Sequence, residues 1–219
     1  MAEFDRGLLD LTGRGRPRVV ILPTASYPDG EDVFRRWAAL GADHFRSLGA
    51  EVEPVFVRQA ADVADGACIQ AIGEADLVYL SGGKPDHLIR VLTTSGLGPA
   101  LLEAHARGAI LAGCSAGAMV LAERQMEMRR RLLFWPLRWR SGLGLVPRVA
   151  VVPHYDTWPE PVTALIAFQA PRGAVVVGID EGTAVVGRDV AWQVHGQARV
   201  TVWRGRRRER YRRGDVFRL

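Results

Sequence analysis

Continuous apolar runs alternate with amphipathic stretches along the first half of the chain. The runs are RVVILPTA (18–25), EVEPVFV (51–57), LVYLSGG (77–83) and AILAGCS (109–115). Such runs are typical of strands that are buried in a parallel sheet. After the first run, the apolar residues with helical spacing are Val33, Trp37, Leu40, Phe45 and Leu48. They predict a helix with this apolar face, ended by Gly49. Further helices are predicted over 65–76, 85–96, 98–108 and 116–123.

After residue 145 the pattern changes to short strand-like runs divided by glycines. These runs are RVAVVPHY (148–155), GAVVVGID (173–180), TAVVGRDVAWQVHG (183–196), ARVTVWRG (198–205) and DVFRL (215–219). The whole pattern predicts an α/β fold: a three-layer sandwich with a mainly parallel central sheet, helices on both faces, and a C-terminal antiparallel strand meander. The length of 219 residues suits a single domain, 1–219, in which residues 1–15 are expected to be loosely ordered.

Composition narrows the class of protein. The chain is 48% hydrophobic and 24% charged, which is ordinary for a globular domain. No apolar run reaches the roughly 18–20 residues of a membrane span, and the first residues lack the order of a signal peptide. We therefore expect a cytoplasmic protein with no membrane partner. Cys68 and Cys114 are too few for a disulfide framework and have no metal-ligand spacing.

The net charge of +5 is concentrated in two arginine-rich segments, 129–140 and 203–213. Basic residues interleaved with Trp and Tyr occur in nucleic-acid sites. They are more often solvated faces or contacts between subunits, so we expect no nucleic-acid partner.

A serine surrounded by small residues lies between a predicted strand and a predicted helix. The stretch GCSAG (113–117) matches the G-x-S-x-G pattern in the strand–turn–helix context that gives the pattern its meaning. A nucleophile on a sharp turn needs little bulk around it, and the helix start stabilises negative charge on a substrate carbonyl. Ser115 is the candidate nucleophile and the Ala116 N–H a candidate oxyanion donor. The alternative is that Ser115 is an N-cap beside glycines that allow close packing.

A serine nucleophile needs a base, and the base needs an orienting group. His154 ends an apolar run, at the strand end where open α/β proteins place their sites. Asp180 and Glu181 end another such run and are candidate acids, although an acidic pair also forms turns. Asp156 is a further option that is expected to point elsewhere. The glycine pair at 82–83 lets backbone approach a ligand closely, and the Gly83 N–H is a candidate second oxyanion donor, unless the pair is a plain turn.

Taken together, the motifs resemble one peptidase family. They are ILPTAS, YLSGGKPDHL, GCSAGAM, GLGLVPRVAVVPHYD and GIDEGTAVV, in that order over residues 18–190. The chain is similar to the S51 serine peptidases, the family of dipeptidase E and cyanophycinase, whose fold is related to class I glutamine amidotransferases. The resemblance implies Ser115 as nucleophile, His154 as base, Glu181 as acid with Asp180 as alternative, and the Gly83 and Ala116 N–H groups as the oxyanion hole. It implies no metal and no organic cofactor.

The segments that would recognise the substrate depart from the family pattern. Lys84 follows the glycine pair where cyanophycinase-like members often have glutamine, and the segment after His154 contains no arginine before Arg172. Gly82, Lys84 and Arg172 are candidate substrate-binding residues. Further arginines that could bind an acidic substrate are Arg129, Arg130, Arg131 and Arg138, although solvent or a second subunit is their more frequent environment.

We therefore expect a serine peptidase that hydrolyses dipeptides or short peptides through an acyl-enzyme, with a preference for an Asp residue at the cleaved bond. The alternatives are a cyanophycinase-like hydrolase of β-Asp-Arg polymer and a non-catalytic binding protein with the amidotransferase-like fold. The expected partner is a small peptide substrate. The resemblance and the basic aromatic segment also favour a homodimer.

Overall fold

The first 120 residues are built around four parallel strands. The computed structural model describes residues 1–64, 66–127, 136–188 and 190–219, and the chain divides into a first unit, 2–120, and a second unit, 121–219. The strands of the first unit are β1 (Arg18–Leu22), β2 (Glu51–Pro54), β3 (Leu77–Leu80) and β4 (Ile110–Gly113). Their order is β2-β1-β3-β4, and every pairing is parallel. Their carboxyl ends therefore lie at one edge of the sheet.

In the described part of this unit, six α-helices precede, connect or follow these strands, and all but the first were predicted from the pattern. They are α1 (Ala2–Asp10), α2 (Glu31–Ser47), α3 (Ala67–Glu74), α4 (Pro85–Thr94), α5 (Leu97–Ala106) and α6 (Ala116–Leu121). Short 3-10 helices cover Thr24–Asp29 and Ala60–Val63. The predicted strand 51–57 is shorter than expected and ends at Pro54, although the Val55 N–H still donates to the Ile21 carbonyl of β1 at 2.9 Å.

The buried face of α2 differs from the predicted one. The fully buried side chains are Phe34, Ala38, Ala42 and Phe45. Of the predicted face only Phe45 is buried, whereas Trp37 is 38% and Leu40 57% exposed. The small residues decide which side faces the sheet, since a Cβ added at Gly41 would lie 3.0 Å from Ile21 of β1. The large apolar residues at 37 and 40 consequently face outward.

The N-terminal segment contains the helix α1, within the stretch 1–15 for which loose order is expected. Leu8 and Leu9 of α1 are buried. The carboxylate of Asp5, which is also buried, lies 2.9 Å from His44 Nε2 of α2. Apolar burial together with this contact holds α1 against the rest of the first unit.

The second unit contains two sheets. Its strands are β5 (Ala122–Met126), β6 (Trp139–Ser141), β7 (Val146–Pro153), β8 (Val175–Ile179), β9 (Thr183–Arg188), β10 (Ala191–Gly196), β11 (Arg199–Arg204), β12 (Arg207–Arg212) and β13 (Val216–Arg218). One sheet has the order β12-β11-β8-β7-β5-β6, and the other has the order β13-β10-β9. The β5–β7 and β7–β8 pairings are parallel, and the other pairings are antiparallel. The predicted α/β class, with parallel strands, helices and C-terminal antiparallel strands, is confirmed.

Several elements of the second unit were not predicted. They are β5, β6, β12 and the helix α7 (Glu160–Phe168). The strand β12 has the sequence RRERYR, which lacks apolar alternation, yet it pairs along its whole length with β11. Its Tyr211 ring stacks on Phe217 at 5.0 Å, which ties this basic strand to the core around Val194, Val200 and Val202. Strand pairing and tertiary packing therefore give strand structure to a segment that has no apolar alternation.

The basic aromatic segment 129–140 is described only in part. Arg129, Arg130 and Arg131 lie outside the described residues. Arg138 is exposed, and its carbonyl accepts a hydrogen bond from the Glu127 N–H at the start of the β5–β6 pairing. Within the described ranges, no helix has the length and apolar character needed to cross a membrane.

Candidate active site

Ser115 occupies a sharp turn between β4 and α6. Its φ is +49°, and among the described residues only Ser115, Arg148 and His154 are non-glycine residues with positive φ. An ordinary N-cap residue has extended backbone angles, so the left-handed φ of Ser115 is a different conformation from that of a simple cap. Such a conformation costs about 1–3 kcal/mol and persists where the surrounding structure enforces it, often at active sites.

Two glycines allow α6 to begin close to the strand ends. A Cβ added at Gly113 would lie 2.5 Å from the carbonyl carbon of Gly117, and one added at Gly117 would lie 2.1 Å from the carbonyl oxygen of Leu80. The turn is closed by hydrogen bonds from the Gly117 N–H to the Cys114 carbonyl, 2.8 Å, and from the Cys114 N–H to the Leu80 carbonyl, 3.1 Å. The backbone around Ser115 is therefore packed directly on the end of β3.

The glycine pair after β3 lies beside this turn. A Cβ added at Gly82 would lie 3.4 Å from the Cβ of Ser115. Gly83 has a φ of +140°, and a Cβ there would lie 2.2 Å from the Ala25 carbonyl oxygen, so only glycine fits. Ala116, the first residue of α6, is 1% exposed. The structure thus brings Gly82 next to Ser115.

Lys84 and Cys114 have partners of their own. Lys84 Nζ forms an ion pair with Asp29 at 2.9 Å, and the Lys84 N–H donates to the Ala25 carbonyl at 2.6 Å. Burial is the main cause that raises the pKa of the Cys114 thiol, which is hydrogen-bonded to Tyr79. Burial raises the pKa of Tyr79 as well. The thiol next to Ser115 therefore stays protonated and is a poor nucleophile.

His154 and Glu181 come together in the second unit. The parallel pairing of Pro153 with Ile179 places the ends of β7 and β8 side by side. His154 has a φ of +51°, and its Nδ1 lies 3.1 Å from Glu181 Oε1. Both side chains are partly exposed, 49% for the histidine and 61% for the glutamate. A carboxylate that faces Nδ1 favours the Nδ1–H tautomer and fixes the orientation of the imidazole ring.

The turn that carries His154 is anchored on both sides. Thr157 Oγ1 donates to the His154 carbonyl at 2.7 Å. Tyr155 packs over β8 where a Cβ at Gly178 would lie 2.1 Å from its ring, and Trp203 Nε1 donates to its hydroxyl at 2.8 Å. The Glu181 N–H donates to a carboxylate oxygen of Asp156 at 2.9 Å. Sequence reasoning expected Asp156 to point elsewhere and missed this backbone contact.

The structure separates Asp180 and Arg172 from the His154–Glu181 pair. Asp180 is 4% exposed at the side chain, and its Oδ2 accepts from the Arg199 N–H at 3.2 Å and faces the Arg199 guanidinium at 3.5 Å. Arg172 is exposed and precedes β8, whereas Glu181 follows it. Four steps along the strand span roughly 13 Å, so Arg172 lies at the opposite end of β8 from the pair.

No group of three or more histidine, cysteine, aspartate or glutamate side chains in the described part of the chain is arranged to hold a metal ion. Ser115 belongs to the first unit, and His154 and Glu181 belong to the second.

Comparison with known proteins establishes the family. A model of peptidase family S51 matches residues 1–194, so the chain belongs to this family of hydrolases. The resemblance predicted from the motifs is thereby confirmed. A cyanophycinase from Trichormus variabilis is 29% identical over 213 residues, which cover 91% of this chain and 67% of that protein. An uncharacterized peptidase of Bacillus subtilis, YgaJ, is 28% identical over 156 residues, covering 70% of this chain and 61% of that protein.

The fold is shared with a solved structure of similar size. The crystal structure of a peptidase from an acI-B1 Actinobacterium superposes with a TM-score of 0.86 and 29% sequence identity. The match covers 100% of this chain and 91% of that chain. The similarity therefore extends over both units of the present chain and supports its placement among peptidases.

Proposed function

We propose that the chain is a serine peptidase that hydrolyses dipeptides or short peptides through an acyl-enzyme, with a preference for an Asp residue at the cleaved bond. Membership of family S51 supports peptidase chemistry. The preference for aspartate rests on the resemblance to dipeptidase E.

The proposal gives each residue a role. Ser115 Oγ attacks the scissile carbonyl while His154 takes its proton, and the His154 imidazolium then protonates the leaving amine. Glu181 orients the imidazole and stabilises its charged form. The N–H groups of Gly83 and Ala116 bind the oxyanion. Water, activated by His154, attacks the acyl-enzyme and releases the product acid together with Ser115.

The observation that carries the proposal is the contact of His154 Nδ1 with Glu181 Oε1 at 3.1 Å. A histidine oriented by a carboxylate is expected in a serine hydrolase, whereas packing alone gives no reason for such a contact between two partly exposed side chains. The left-handed backbone of Ser115, in a strand–turn–helix context with glycines on both sides, supports the assignment of the nucleophile independently.

Ser115→Ala, with Ser47→Ala as the matched control, tests the nucleophile. Ser47 is an exposed serine at the end of α2 and bonds only locally in the contacts described, to the His44 carbonyl. Wild type and Ser47→Ala are expected to be labelled by a fluorophosphonate probe and to hydrolyse Asp-Leu faster than Ala-Leu. Ser115→Ala should lose both labelling and turnover, by at least about 10³-fold. Equal turnover by Ser115→Ala and wild type would refute the assignment.

A second candidate function is hydrolysis of the β-Asp-Arg polymer cyanophycin. It is favoured by the similarity to proteins named cyanophycinase, 29–30% identical to this chain. Incubation with the polymer and quantification of released β-Asp-Arg dipeptide, beside the Asp-Leu assay, separates the two substrates. If the wild type shows no turnover of either substrate and no labelling by the probe, the result would instead favour the non-catalytic binding protein.

A further inference from the structure

We propose that Asp156 is a positioning residue: its carboxylate holds the backbone of Glu181 so that the Glu181 side chain stays against His154. The inference rests on the proposed function, because it concerns how the base of that reaction is oriented. It adds Asp156, which acts through the Glu181 backbone, to the set of residues on which the reaction depends.

The contacts form a closed loop between the turns after β7 and β8. His154 and Asp156 share the first turn, and Glu181 lies in the second. The Glu181 N–H donates to Asp156 Oδ1 at 2.9 Å, and Glu181 Oε1 lies 3.1 Å from His154 Nδ1. A path of hydrogen bonds therefore leads from the turn that carries His154, through the Asp156 carboxylate and Glu181, back to the His154 ring.

The His154–Glu181 contact needs such support because both partners are partly exposed. Their side chains are 49% and 61% exposed, and an ion pair with that exposure contributes little by itself. A glutamate side chain also loses rotamer freedom when it is held in one place. If the Glu181 backbone is already fixed, less conformational entropy is lost when the Glu181 carboxylate is held against the imidazole.

The Asp156 side of the loop is well anchored. Thr157 and Tyr155, its two neighbours in the turn, are held by hydrogen bonds to the His154 carbonyl and from Trp203. The Glu181 side is anchored by its neighbour Asp180, whose N–H donates to the Arg199 carbonyl of β11 at 3.1 Å. Between these two anchored turns, the bond from the Glu181 N–H to the Asp156 carboxylate is the contact that holds the Glu181 backbone itself.

The kinetic test compares Asp156→Ala with Asp156→Asn. Alanine removes the acceptor, whereas the asparagine amide oxygen can still accept the Glu181 N–H. We expect kcat to fall about 10- to 100-fold in Asp156→Ala with KM within about twofold, because misplacement of a catalytic group by about 1 Å costs that much. Asp156→Asn should recover most of the lost rate.

Two further variants separate positioning from a general loss of structure. If Asp156 acts through Glu181, then Asp156→Ala should lower the rate no further in a Glu181→Gln background. Asp215→Ala is the matched control, since Asp215 is also an exposed aspartate of the second unit that accepts a backbone N–H, from Arg212 at 2.8 Å. It should leave kcat unchanged. Additive losses in the double variant, or an equal loss in Asp215→Ala, would overturn the proposal.

A measurement that needs no activity keeps this inference distinct from the proposed function. Nitrogen-15 NMR of the His154 ring, recorded in the Ser115→Ala protein at about pH 9, reports which of the two ring nitrogens carries the proton. We expect the Nδ1–H tautomer, reduced by Asp156→Ala and Glu181→Gln and retained in Asp156→Asn and Asp215→Ala. An unchanged tautomer in Asp156→Ala would overturn the inference. Loss of the proposed function would show instead as a wild type without serine-dependent turnover.

Discussion

Gly117→Ala tests directly how tightly the Ser115 turn is packed. The added Cβ would lie 2.1 Å from the carbonyl oxygen of Leu80 and 2.8 Å from its carbonyl carbon. Ordinary contacts between heavy atoms begin at about 3.5 Å, so α6 and the end of β3 must move apart by roughly 1.4 Å. The obstacle is backbone, and the same Leu80 oxygen also accepts the Cys114 N–H at 3.1 Å, so it cannot turn away without losing that bond.

The expected cost follows from two opposing effects. Overpacking costs about 1–3 kcal/mol and more where backbone must move, while alanine gains up to about 1 kcal/mol over glycine in a helix interior. A net loss of about 2 kcal/mol corresponds to a fall in Tm of about 4–8 °C for a chain of this size. A displacement of Ser115 by about 1 Å should also lower kcat about 100-fold.

Gly7→Ala in α1 is the matched control. Gly7 is also a helical glycine, but an added Cβ there would meet nothing within 4 Å. It should raise Tm by about 2–4 °C through helix propensity alone and leave fluorophosphonate labelling unchanged. Differential scanning calorimetry and the labelling rate of the two variants measure both effects. A Gly117→Ala protein with the Tm and the labelling rate of wild type would show that the packing argument is wrong.

Three further outcomes are expected. Asp180→Asn should lower the free energy of unfolding by about 1–2 kcal/mol and leave kcat within about threefold, whereas Glu181→Gln should lower kcat with little change in stability. Denaturant unfolding and steady-state kinetics measure the two effects. The reverse pattern would exchange the roles of the two residues. Because burial raises the pKa of Cys114, iodoacetamide at pH 8 should alkylate it more slowly in the native than in the unfolded protein, and equal rates would contradict the assigned environment. Gly178→Ala should lower both Tm and kcat, since its Cβ would collide with the Tyr155 ring; a protein unchanged in both would contradict that packing.

The strand–helix alternation of the first unit could be predicted because its apolar runs are continuous and its helices start and end at proline and glycine signals. The strands of the second unit were harder to predict. The pattern of β12 is dominated by charge, and its strand conformation depends on β11 pairing and on Tyr211 packing against Phe217. A local sequence pattern cannot predict either contact. The first depends on the turn that joins β11 to β12, and the second depends on the separate strand β13.

The amphipathic helix α2 shows the same limit on a smaller scale. Its spacing predicted a helix correctly but assigned Trp37 and Leu40 to the buried face. Burial depends on how closely the helix can approach β1, and the row of small residues beside Gly41 allows the closer approach. Hydrophobicity alone could not choose between two apolar stripes.

By itself, the amino-acid sequence determined the α/β class, the family, and the residues at which nucleophile, base and acid were to be sought. These depend on local patterns: apolar runs, glycines beside a serine, and polar residues that follow strands. The tertiary structure decided that Glu181 faces His154 while Asp180 faces Arg199, since neighbouring side chains at the end of β8 point to different surroundings. It also decided that Arg172 lies away from this pair, because a position along the chain becomes a position in space only once a strand has fixed its direction and length.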